Sequence, residues 1–163
     1  KDVGGYLQTM VASKSLYEEE VKKKKLKEEV RVKERIVKAK VDQQQQLELE
    51  QQQLRSDFHN AKESFTIEKI ENGNEELRSN FIQYLQIRKD KGDFLSALSL
   101  DNYKTDFLYP KNSKEEFIFN IKNGGSFAAS MITYIVGNLY KEEFEPIRAI
   151  YVTKGKELNI VLD

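Results

Sequence analysis

The stretch VDQQQQLELEQQQLRSDFHN, Val41–Asn60, decides the fold: it is either a disordered polar tract or the polar middle of one long helix. Gln, Glu and Leu are good helix formers, yet a segment this polar also has the composition of an unfolded linker. Periodicity separates the two readings. In alternating steps of four and three, Leu47, Leu54, Phe58, Ala61 and Phe65 continue a register that begins at Leu26, Val30 and Val37. Lys33, Lys40, Gln44 and Gln51 fill the remaining positions, and the register never slips. Apolar residues spaced this way mark a helix with a heptad stripe. No proline interrupts Tyr6–Ile70, and no glycine occurs between Gly5 and Gly73. One long helix is therefore expected over the front of the chain.

With Val30 and Val37 at a positions and Leu26, Leu47 and Leu54 at d, the stripe suits a two-stranded parallel coiled coil. The expected seam of a homodimer is Leu26, Val30, Val37, Gln44, Leu47, Gln51, Leu54, Phe58, Ala61 and Phe65. Gln44 and Gln51 would hydrogen-bond across it, costing stability relative to leucine while discouraging other registers. Flanking charges agree in part: Glu50 would face Arg55 and Asp57 would face Lys62, but Glu29 would face Glu34. An antiparallel hairpin that folds back near Asp42 remains open as an alternative.

The most basic stretch is VKKKKLKEEVRVKERIVKAK, Val21–Lys40. Lys22, Lys23, Lys24, Lys25 and Lys27 are the candidates for contact with nucleic acid or phosphate. Four consecutive lysines cover a full helical turn and so point all round it. Glu18–Glu20, Glu28, Glu29 and Glu34 neutralise much of their charge. A solvated helix surface with pairs four residues apart is the simpler reading.

Composition changes at IENGNEE. Asn72-Gly73 ends the long helix, Asn74 caps the next, and Gly92 stops it. A short helix begins near Phe94, followed by an irregular segment to Pro110. Ser113-Lys114-Glu115-Glu116 has the capping-box pattern, which predicts a helix over Lys114–Lys122. Its run FIFNI would also serve as a strand. Ser126 is expected to cap a helix from Phe127 to Glu143, stopped before Pro146. Two β-rich runs, Ile147–Thr153 and Glu157–Leu162, flank Lys154-Gly155-Lys156 and read as a C-terminal β-hairpin. The expected class is thus α+β, predominantly helical. It divides into residues 1–72, a long coiled-coil helix, and residues 73–163, a small α+β module.

Candidate chemistry is sparse. With no cysteine, disulfides, thiolate zinc sites and cysteine nucleophiles are excluded. His59, the single histidine, has only carboxylates such as Asp57 and Glu63 near it in sequence, and no serine lies in a nucleophile-elbow context. Asn123-Gly124-Gly125-Ser126 lacks the Gly-Lys-Ser/Thr that completes a phosphate-binding loop. Asp101, Asp106 and Asp163 have no metal-ligand spacing. No catalytic residue, metal site or cofactor is expected.

Net charge is zero, so any attraction to a polyanion must come from local clustering. The longest apolar run, FAASMITYIVGNLY at Phe127–Tyr140, is too short for a membrane-spanning helix. Lys1 in place of an initiator methionine implies a segment of a longer chain. These features point to a cytoplasmic, non-enzymatic interaction or scaffold protein, dimeric through its N-terminal helix and binding a protein partner through its C-terminal module. The alternative is a nucleic-acid-binding protein that uses the basic segment 22–40.

Overall fold

The computed structural model describes the backbone of residues 3–162 and the side chains of residues 17–162. Among these residues there are helices and connecting turns but no strand. The glutamine tract is helical, part of the continuous α1, Val3–Asn72. It is followed by α2 (Glu75–Asp90), α3 (Phe94–Asp101), α4 (Lys114–Lys122), α5 (Gly125–Tyr134) and α6 (Lys141–Glu157). A π-helical turn, Ile135–Leu139, joins α5 to α6. No helix among the described residues is long and apolar enough to cross a membrane.

The chain separates into two units, Lys1–Leu49 and Glu50–Asp163. The boundary falls inside α1, so the last third of that helix belongs to the C-terminal unit. There Leu54, Phe58, Phe65 and Ile70 are buried in one apolar cluster with Phe81, Leu85, Phe117, Ile121, Phe127, Met131, Ile135 and Phe144. The contact with α6 is aromatic: Phe65 meets the Phe144 ring edge-on at 5.1 Å, and Phe58 lies 5.2 Å from Tyr151. Lys69 pairs with Glu143 at 2.5 Å while its ammonium covers the rings of Phe65 and Tyr140.

The expected α+β class is overturned, because the C-terminal hairpin is α6 and its cap. The segment carries two periodicities at once. Its β-branched residues suit a strand, but Phe144, Ile147 and Tyr151 also fall on one helical face. That face has the aromatic stripe of α1 to bury against, and burial outweighs an intrinsic strand preference of at most about 1 kcal/mol per residue. Nor does α6 stop before Pro146, which lies inside it. Proline in a helix interior costs about 3 kcal/mol, an amount that burying Phe144, Ile147 and Tyr151 can offset.

Lys154-Gly155-Lys156, expected as a hairpin loop, is the last turn of α6. Asn159, with φ of 55°, takes the left-handed position just past the helix. The Ile160 N–H then reaches the Gly155 carbonyl at 2.9 Å and the Asn159 N–H reaches Lys156 at 3.2 Å. This pair of bonds is a Schellman cap. Gly155 is buried because the tail returns over it: a Cβ there would lie 3.0 Å from the Ile160 carbonyl oxygen. Leu162 is thereby delivered to the core.

Several other local signals act as their residue types dictate. The Asn74 side chain accepts from Leu77 N, and Ser113 Oγ accepts from Glu116 N. Lys114–Lys122 is therefore a helix, with FIFNI inside it. Ser126 differs. The N-cap of α5 is Gly124, whose φ of 73° suits glycine, and it makes no side-chain cap bond. The helix expected over Phe127–Glu143 is broken by the π turn, where Tyr140 N–H bonds to the Ile135 carbonyl five residues back. The extra residue rephases the chain. Phe127, Met131 and Ile135 can then serve α5's buried face while Phe144 and Tyr151 serve α6's.

Candidate functional site

The expected seam residues fall into two groups. In the N-terminal unit Leu26 and Val37 are 62% and 60% exposed, and Val30 is exposed as well. Gln44 is also exposed, its Nε2 donating to Glu48 Oε1 at 2.9 Å, and Leu47 is half-buried. In the C-terminal unit Leu54, Phe58 and Phe65 are buried within this chain, with Ala61 half-buried beside them. Gln51 Nε2 donates to the Leu158 carbonyl at 2.7 Å, at the C-cap of α6. One heptad register is thus exposed in the N-terminal unit and buried in the C-terminal unit, and sequence spacing alone contains no signal for where the change occurs.

Lys22, Lys23, Lys24, Lys25 and Lys27 are all exposed on α1. His59 is exposed and lies 4.0 Å from Glu63. Among the described residues no three His, Asp or Glu side chains gather as a metal site would require. Asp163 lies outside the described residues.

Sequence reasoning missed two features of the C-terminal unit. The first is a buried polar knot that ties the irregular segment 102–113 to α4. Glu116 is fully buried at the start of α4. Its Oε2 accepts from Asn112 N–H and from the Tyr103 hydroxyl. Its Oε1 is the one buried side-chain oxygen or nitrogen without a hydrogen-bond partner among the described residues. Burial, and then the bond to Glu116, push the Tyr103 phenol up. Asn120 exchanges bonds with both backbone groups of Lys104 at 2.8 Å, and Arg78 Nε donates to the Asn112 carbonyl at 2.7 Å. Glu116 was legible as a capping-box residue, but its burial was not.

The second feature is a cleft of about 340 Å³ between α2, α3 and α5. It exists because α3 is inverted. Ser96 and Ser99 are buried, whereas Phe94 and Leu95 are 73% and 66% exposed. Small hydroxyl residues let α3 approach α5 closely, and every buried hydroxyl needs a partner. Ser99 Oγ bonds to the Leu95 carbonyl at 2.7 Å and to Ser130 Oγ at 2.6 Å. Ser126 Oγ accepts from Asn102 Nδ2 at 2.8 Å and donates to the Leu98 carbonyl at 3.1 Å. This is the work Ser126 does in place of capping. The spacings Ser96-x-x-Ser99 and Ser126-x-x-x-Ser130 were visible signals for such a contact.

Arg88, Asp93, Tyr84 and Tyr134 also line the cleft. Arg88 Nε donates to Asp93 Oδ2 at 2.6 Å, and Nη1 donates to the Tyr84 hydroxyl at 2.8 Å. Those bonds, that to Asp93 foremost, raise the Arg88 guanidinium further above neutrality. The Ser96 hydroxyl and then the Arg88 guanidinium hold Asp93 below its ordinary value of 3.8. A depressed carboxyl contributes stability that is present above its unfolded value and lost as pH falls through the folded one. Asp93 should therefore titrate below 3.8, and Ser96→Ala should move its midpoint upward. Carboxyl-carbon NMR across the acid range measures both; an unshifted midpoint in the variant would show that the Ser96 bond does not set it.

Fold and site together define an all-helical protein, with one helix that carries an exposed apolar stripe and a helical unit that carries a hydroxyl-lined cleft. No family model matches the chain, and neither a curated protein nor a solved structure shows detectable similarity to it.

Proposed function

We propose that the chain is a non-enzymatic interaction protein: it pairs in parallel with a second copy through the stripe of its N-terminal unit, and its C-terminal unit engages a protein partner. The observation that carries this reading is the exposure of Leu26, Val30 and Val37 in heptad register. Ile36 and Val41, also exposed, widen the stripe at flanking positions. A solvated apolar stripe on a helix is stabilised when a second helix covers it. The pairing segment is the part of α1 upstream of Gln51, because Leu54, Phe58 and Phe65 are occupied within the chain. The exposed apolar residues Phe94 and Leu95 support partner binding by the C-terminal unit.

Sedimentation of the full chain at several concentrations tests the pairing. The unmodified chain should approach twice its monomer mass as concentration rises, whereas Val30→Glu/Val37→Glu should remain monomeric and lose helicity. Gln44→Ile should strengthen the dimer by removing an amide from the seam. Gln51→Ile should instead break the bond to Leu158 and weaken the C-terminal unit. A monomer at every concentration for the unmodified chain would overturn the reading.

A further inference from the structure

The cleft between α2, α3 and α5 has the volume of a small-molecule site, and it retains unspent hydrogen-bond donors. Its serine and threonine hydroxyls bond within the protein: Ser96 donates to Asp93 and Thr133 to the Ala129 carbonyl, while Ser99, Ser126 and Ser130 form the network already described. Asp93 accepts from Arg88, Ser96 and Leu95 N–H, which occupies both of its oxygens. Donors remain. Of the five N–H groups of a guanidinium, Asp93 and Tyr84 each take one from Arg88. The Tyr84 oxygen accepts from Arg88, leaving its own O–H to donate. The Tyr134 phenol, 5.1 Å from Tyr84 ring to ring, is pushed up by burial and so stays protonated as a donor. Leu95 and Ala129 supply apolar surface.

We propose that this cleft binds a small monocarboxylate with a compact apolar body. Its carboxylate meets Arg88 and the phenols of Tyr84 and Tyr134, and its body lies against Leu95 and Ala129. Guanidinium and phenol donors match the lone pairs of a carboxylate. Asp93 offsets the charge of Arg88, which disfavours a dianion such as a phosphate monoester. The proposal is independent of the pairing of α1, since every residue it uses lies in the C-terminal unit.

Titration of the isotope-labelled full chain with phenylacetate, followed by amide NMR, tests it. Saturable shifts should be confined to the amides of residues 84–99 and 126–134, with a dissociation constant of about 1 mM for so few atoms. Phenylacetamide, which keeps the shape without the charge, should bind at least about tenfold more weakly. Arg88→Gln should weaken phenylacetate by a similar factor, and Ala129→Phe, at an exposed lining position, should abolish binding by filling the cleft. Well-dispersed spectra of both variants establish that they are folded. Absence of saturable shifts, equal affinity for acid and amide, or full binding by folded Arg88→Gln would each overturn the proposal.

Discussion

Phe127→Ala should destabilise the C-terminal unit by about 3–5 kcal/mol, a large part of the stability of an ordinary domain. Phe127 sits at the centre of an aromatic cluster and is 1% exposed. It stacks on Tyr103 at 4.6 Å and meets Phe81 and Phe117 edge-on at 5.5 and 5.6 Å. Truncation removes the burial of a whole ring and leaves a cavity that three other rings, held by α2, α4 and the irregular segment 102–113, cannot close. Urea unfolding followed by tyrosine fluorescence reads this directly, because Tyr103 is a reporter at the site and the chain has no tryptophan. Phe107→Ala is the matched control: Phe107 is fully solvent-exposed, and its loss should change stability by less than about 0.5 kcal/mol. Equal effects of the two substitutions would contradict the assignment of the core.

Glu116→Ala should also be severe, costing about 3 kcal/mol, for a different reason. The change leaves the part-buried Asn112 N–H without its acceptor and the Tyr103 hydroxyl with only Asn112 Oδ1, at 3.3 Å. Glu116→Gln retains an acceptor oxygen and should cost roughly half as much. The two variants separate loss of the hydrogen bonds from loss of volume and charge. With the knot cut, segment 102–113 should detach locally before the unit unfolds, so trypsin should cleave at Lys104 and Lys111 under native conditions in Glu116→Ala but not in the unmodified protein. Resistance of the alanine variant would show that Asn120 and Arg78 hold the segment without Glu116.

Both predictions depend on burial, and burial is where sequence reading and structure part. The helix ends were legible because they are local. Asn74, Ser113 and Gly92 act within one turn of their own positions, so residue type and spacing sufficed. The helicity of Val41–Asn60 was legible for the same reason: a register unbroken by proline or glycine is a property of the segment itself. The cleft was nearly invisible. α3 reads as an apolar helix, and only its approach to Ser126 and Ser130 turns the serines inward and leaves Phe94 and Leu95 in solvent.

The sequence by itself determined where most helices begin, that Val41–Asn60 is helical, and that an apolar stripe runs along it in heptad steps; that α1 does not fold back near Asp42 is read from the structure. Tertiary structure decided what that stripe meets. Phe58 and Phe65 found Phe144 and Tyr151, and the same encounter drew Ile147–Thr153 from a strand preference into α6. The physical reason is one of magnitude: β propensity is worth at most about 1 kcal/mol per residue, whereas each large apolar side chain buried between two helices contributes about 1.5–3 kcal/mol. Such burial joins residues some ninety positions apart in the chain, as Phe58 and Tyr151 are. No local pattern around either residue contains it.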